Sequence, residues 1–235
     1  MRLGILQADS VSEALRTDHR DYPHMFHDLF AGVDASGSVC FEDYDVAHGE
    51  FPAHVDACDA YVITGSRAGV YEEHEWIASL SRFVEELHRQ RKKLVGICFG
   101  HQLIANVLGG ETGPAPNGWA VGVHESRVTL KTRWMDPDAA RFRLISCHKD
   151  QVERLPTDAQ LLATNTFCPN AAFQVGEHML AFQGHPEFSK DFSRALMDSR
   201  RELFGEERYS EGVASLEQDT HEDLVARWIL NFIAE

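Results

Sequence analysis

No stretch of this 235-residue chain approaches the apolar run needed to cross a bilayer, and no leader-like pattern opens it. "MRLGILQADS" passes from a short apolar run straight into polar residues and reads as a first strand. Basic residues are scarce. Lys and Arg number 22 against 37 Asp and Glu, a formal net charge of −15. That balance argues against a nucleic-acid or anionic-membrane partner. Cysteine is sparse too: Cys40, Cys58, Cys98, Cys147 and Cys168 are odd in number and have no close pair. They suit reduced thiols in a cytoplasmic setting and not a disulfide framework. No repeat, low-complexity tract or linker is evident, so residues 1–235 are expected to form one domain. Neither "GVYEEHEW" nor "VLGGETGPAPNG" has phosphate-loop spacing with its lysine, and no bound cofactor is expected.

What the chain does have is alternation. "RLGILQ", "SVCFEDYDV", "AYVIT" and "KLVGIC" are strand candidates, and between the last two Trp76, Ile77, Leu80, Phe83, Val84 and Leu87 mark one face of a helix. This pattern predicts an α/β fold, an open and mostly parallel twisted sheet with helices on both faces. After Gly110 the runs "VGVHESRVTL", "RFRLISCH", "QLLATN" and "AAFQVGEHMLAFQGH" predict further strands, partly antiparallel. Two helices are expected at the end. One is marked by Phe192, Leu196, Leu203 and Phe204, the other by Leu224 to Ile233 behind a Thr220 cap with Asp223 three residues on. Residues 204–220 read as a polar, mobile connection. Residues 7–25 and 112–123 read as loops bordering a site.

The chemistry is concentrated in "GICFGHQ". An apolar strand ends at Cys98 and a helical pattern starts at Gly100. A thiol on such an elbow is presented to substrate, near a helix N-terminus that favours the thiolate. The N–H of Phe99 would then face a developing oxyanion. A small buried core cysteine is the competing reading, and the motif alone leaves both open. In "AFQGHPEF", His185 and Glu187 are i and i+2 on an extended backbone, so they point to one side, with Pro186 stiffening the link. A nucleophile needs such a base, and the base needs an orienting carboxylate.

"GICFGHQ" followed by "HPE" resembles the class I glutamine amidotransferase family, whose fold is flavodoxin-like. The resemblance implies Cys98 as nucleophile, His185 as base and Glu187 as third member, cleaving a γ-glutamyl amide through a thioester. It implies backbone oxyanion donors from Phe99 and from Gly65 or Ser66 in "VITGSRAGVYEE". It implies substrate contacts from Gln102 and from His148, Lys149 and Asp150 in "ISCHKDQVERLP". Two positions depart from the family pattern: Gly184 stands where a bulky aromatic is common, and "TGSR" replaces the usual loop. Both imply a roomier or differently shaped acyl site. The ligand implied is glutamine or another γ-glutamyl small molecule, with a synthase subunit as a possible partner. The combination "ITGS", "GICFGHQ", "GWAVGV", "CHKDQV" and "HPEF" is also similar to a free-standing branch that includes plant γ-glutamyl peptidases.

Three rivals stand beside this. A catalytically silent binding subunit would share the fold, but all three candidate residues are present. A cysteine hydrolase of the intracellular-protease group would share the elbow without the His-Pro-Glu. His24 and His27 share a helix face with metal-like spacing, but nothing completes a ligand set and no metal is expected.

Overall fold

The computed structural model describes residues 1–34 and 36–235. The first half reads β1 (Arg2–Leu6), α1 (Glu13–His19), α2 (Tyr22–Val33), β2 (Cys40–Tyr44), β3 (Ala60–Ile63), α3 (Glu75–Arg89), β4 (Lys93–Ile97) and α4 (Phe99–Val107). The second opens with β5 (Glu111–Pro114), β6 (Ala120–Val128), β7 (Arg141–His148), β8 (Asp150–Arg154) and β9 (Ala159–Thr164). It continues through β10 (Ala172–Val175), β11 (Met179–Phe182), α5 (Lys190–Ser199), α6 (Arg201–Phe204), α7 (Glu206–Ser215) and α8 (Glu222–Ala234).

Nine strands form one sheet in the order β2-β1-β3-β4-β11-β10-β9-β6-β7, and β5 pairs with β8 in a small second sheet. Strands β1 to β4 and β11 are parallel to their neighbours in the first half of that order. From β11 outward the pairing is antiparallel. The sheet is covered on both faces because its central strands β3 and β11 are apolar at every position and β4 at all but its first. In β3, Ala60 and Val62 join the core under α2 and α8, while Tyr61 and Ile63 join the core under α3 and α4. A strand buried on both faces loses the polar alternation of a half-exposed one.

The structure corrects several expectations. Residues 7–25 are not one loop: they hold α1 and the start of α2, whose first turn contains Pro23 and is capped by Asp21 accepting from the Tyr22 N–H. Residues 112–123 carry most of β5 and the start of β6 around a short turn. Residues 204–220 are largely α7, docked on β6 through Tyr209, Val213 and Leu216. The penultimate helix breaks at Arg200 into α5 and α6, leaving Leu203 59% exposed. The last helix is entered at His221 and not at Thr220; the His221 ring instead accepts from the Arg143 N–H at 3.1 Å, tying α8 to β7. The run "AAFQVGEHMLAFQGH" folds back on itself as the β10–β11 hairpin and returns β11 to the sheet centre beside β4.

Candidate active site

Three parallel strands end side by side, and each contributes one part of the site. β4 lies between β3 and β11, with Ile63 opposite Gly96 and Phe182 opposite Ile97. One step beyond these pairs come Thr64-Gly65, Cys98, and Gln183-Gly184-His185. Ligands gather at this carboxyl edge of a parallel sheet because the connecting turns open there.

Cys98 belongs to two elements at once. Its N–H donates to the Phe182 carbonyl at 2.9 Å, completing the strand ladder. Its own carbonyl accepts from the Gln102 N–H at 3.0 Å, starting α4. Serving both forces φ to +53° with ψ at −99°, a conformation L-residues avoid at a cost of about 1–3 kcal/mol. The flanking glycines permit the turn. A Cβ on Gly96 would strike the Gly100 carbonyl, and one on Gly100 would lie 2.7 Å from the Ile63 carbonyl oxygen. At the start of α4 the first N–H groups have no acceptor within the helix, so the Phe99 N–H beside the thiol can meet a substrate oxygen. Gly65 leaves its space to the His185 ring: a Cβ there would lie 2.9 Å from His185 Cε1.

His185 Nδ1 donates to Glu187 Oε1 at 2.7 Å, and both side chains are almost wholly buried. The His185 N–H bonds to the Ile145 carbonyl at 2.8 Å, so β7 fixes the His185 backbone. Phe188 stacks flat on the imidazole, with ring centres 3.9 Å apart. Burial by itself would drive the ring neutral. The charges of Glu187 and Cys98 outweigh it and push His185 up to about 10. The imidazole is therefore a cation at neutral pH and can donate a proton from the ring.

Cys98 opens onto a cavity of about 370 Å³. Gln102, His148, Lys149 and Asp150 line it, together with Ser66. Gln102 is held in place, its Nε2 donating to the Asp150 carbonyl at 2.8 Å and to Gln183 Oε1 at 3.1 Å. His148 donates from Nδ1 to the Asp150 carbonyl at 2.9 Å, and burial lowers it to about 3, so it is a neutral ring with a free Nε2 acceptor. Asp150 accepts from the Tyr71 hydroxyl at 2.8 Å. Lys149 is exposed at the rim. His24 and His27 lie apart from all this; His27 Nε2 bonds to Asp43 at 2.8 Å, and among the described residues no group of three metal-ligating side chains stands together.

The sequence model of the glutamine amidotransferase class-I family matches residues 47–197, well over half the chain. The chain belongs to that family. Gamma-glutamyl peptidase 3 of Arabidopsis thaliana is 31% identical, over 84% of this chain and 81% of its own length. GMP synthase of Aeropyrum pernix is 35% identical over half of this chain but only 23% of its own length. Among solved structures, a glutamine amidotransferase of Thermotoga maritima superposes with a TM-score of 0.77 at 20% identity, covering 99% of this chain and 96% of that one. The fold is thus that of a class I glutamine amidotransferase, with added antiparallel strands.

Gly184 does not enlarge the Cys98 cavity. A Cβ there would lie 2.8 Å from Leu144 Cβ, so β7 already fills the space, and Gly184 is absent from the lining of the Cys98 cavity. The replacement in "TGSR" does face the cavity, through Ser66 and Arg67. Arg67 is engaged elsewhere, gripping Asp9 through Nε and Nη2 at 2.8 Å each. The sequence reading missed Phe188, Trp119, Tyr71 and Arg200. Phe188 sits inside the quoted "HPEF" and was detectable there. Arg200, more than a hundred residues from Cys98 in the chain, carried no local signal.

Proposed function

We propose that the chain hydrolyses γ-glutamyl amide bonds with Cys98 as nucleophile, His185 as acid and base, and Glu187 as the carboxylate that orients and charges the ring. The observation carrying this is a strained cysteine at +53° facing a cavity, beside a buried His185–Glu187 pair 2.7 Å apart. The Cys98 thiolate attacks the γ-carbonyl, and the oxyanion is met by the N–H of Phe99 and that of Gly65 or Ser66. The His185 imidazolium gives its proton to the departing nitrogen, leaving a γ-glutamyl thioester and a free amine or ammonia. Neutral His185 then takes a proton from water as it attacks the thioester, releasing glutamate and restoring the thiolate–imidazolium pair. Gln102, His148, Lys149 and Asp150 hold the glutamyl end.

γ-Glutamyl peptides are the substrate class we favour, because a relative named gamma-glutamyl peptidase aligns over four-fifths of both chains. The alternative, an amidotransferase subunit that passes ammonia to a synthase partner, draws on the partial similarity to a GMP synthase. The continuous nine-stranded sheet supports reading residues 1–235 as one domain. Free cysteines support a reducing, cytoplasmic compartment.

Glutamate release from glutamine, γ-glutamyl dipeptides and glutathione tests the proposal. The purified chain should release glutamate from the peptides, and Cys98→Ser should release none while melting at an unchanged temperature. Wild-type-like turnover by Cys98→Ser would exclude the thioester route. Release from glutamine alone would favour the amidotransferase reading.

A further inference from the structure

Arg200 sits where a second recognition element is needed. It is the residue at the break between α5 and α6, and it lines both the main cavity and a narrow recess running from Cys98 to His185 and Phe188. Among the described residues it forms no ion pair. Its guanidinium makes one hydrogen bond, Nη1 to the Cys147 thiol at 3.7 Å. A thiol is a weak acceptor, and burial pushes Cys147 up to about 11, so it leaves the Arg200 charge uncompensated. Arg67, also on this wall, is already neutralised by Asp9. A free guanidinium on a cavity wall, in a chain of net charge −15, is a device for an anion.

Its position says which anion. The acid that protonates the leaving nitrogen must face that nitrogen, so the recess shared by His185 and Arg200 is the leaving-group side of Cys98. Gln102 and His148, the proposed contacts of the glutamyl end, line the main cavity and not this recess. In a γ-glutamyl dipeptide the carboxylate of the second residue is two bonds from the scissile nitrogen, within reach of a group beside His185. Resting on the γ-glutamyl hydrolase reading, we propose that Arg200 is a specificity residue that binds the free α-carboxylate of the amino acid released. The enzyme is thereby selective for γ-glutamyl amino acids over glutamine and simple γ-glutamyl amides.

The test compares γ-glutamyl-glycine with γ-glutamyl-glycinamide, which differ only in that carboxylate. For the wild type, kcat/KM should favour the free acid by about tenfold or more, the discrimination expected of a charge-assisted pair. Arg200→Gln should collapse this ratio toward unity, and Arg200→Lys should restore part of it. Calorimetric binding of both ligands to the Cys98→Ala chain gives the same comparison without turnover. Selective binding with no hydrolysis by the wild type would overturn the hydrolase reading and leave the Arg200 assignment standing. Equal wild-type binding and turnover of acid and amide overturns the assignment alone. So does a preference that survives Arg200→Gln, or an equal loss on glutamine, which would place Arg200 on the glutamyl carboxylate.

Discussion

Cys98 and His185 show how much of this site is set by single side chains and their nearest charges. Burial disfavours a charged imidazole, yet interactions with Glu187 at 2.7 Å and with Cys98 hold His185 protonated up to about 10. A raised folded-state value means the stabilisation is fully present below the unfolded histidine value of about 6.5 and is lost as pH rises through about 10. In the proposed mechanism the protonated ring is also the proton donor, so activity should fall on the alkaline side near the same pH. Glu187→Gln keeps the shape and removes the charge. It should lower kcat by about 10²- to 10⁴-fold with a smaller change in KM, and move the alkaline limb to lower pH. A pH–rate profile of both proteins checks this; an unmoved limb would mean that Glu187 does not set the His185 charge.

Elements meet at this site through contacts too close for side chains. The β4–α4 turn brings Gly100 onto β3, where an added methyl would sit 2.7 Å from the Ile63 carbonyl and 2.8 Å from Ile63 Cβ. Neither the backbone nor a β-branched side chain can move aside cheaply. Gly100→Ala should therefore destabilise by about 1–3 kcal/mol, read from denaturant unfolding, and should reduce activity further by shifting Cys98 against Gly65. A neutral result would show that α4 can slide on β3. The same closeness explains α7, which the polar composition of residues 204–220 concealed. Tyr209, Val213 and Leu216 follow a helical i, i+4, i+7 spacing, and Gly212 against Val121 lets the helix approach β6.

At the scale of the molecule, charge and burial combine in a pH-dependent fold. His101 and His148 are both fully buried, and burial lowers each to about 3. Histidines with depressed folded-state values contribute stability that is complete above about 6.5 and lost as pH falls toward 3, at up to ~1.4 kcal/mol per pH unit for each ring. Melting temperature should therefore drop between pH 7 and pH 5, before most carboxylates titrate. His101→Gln, whose longer amide keeps a donor near the Nε2 position for the Asn170 carbonyl, should flatten that slope; an identical slope would clear His101 of the effect. No helix among the described residues is long and apolar enough to cross a membrane.

The local chemistry of the backbone was legible in the sequence. Glycines around Cys98 and apolar runs of strand length act over a few residues, so their consequences follow from neighbours in the chain; His185 and Glu187 do meet, but across a turn at Pro186 and Glu187 and not along the extended strand that their i, i+2 spacing predicts. The first four strands and the elbow are where those patterns put them. Which distant pieces share a wall followed from the assembled fold. β11 returns to lie beside β4, Leu144 occupies the space that Gly184 seemed to free, Phe188 stacks on the base, and Arg200 reaches the recess beside Cys98. These depend on sheet order and helix docking, which arise from burying both faces of the sheet at once and not from the preferences of any one segment.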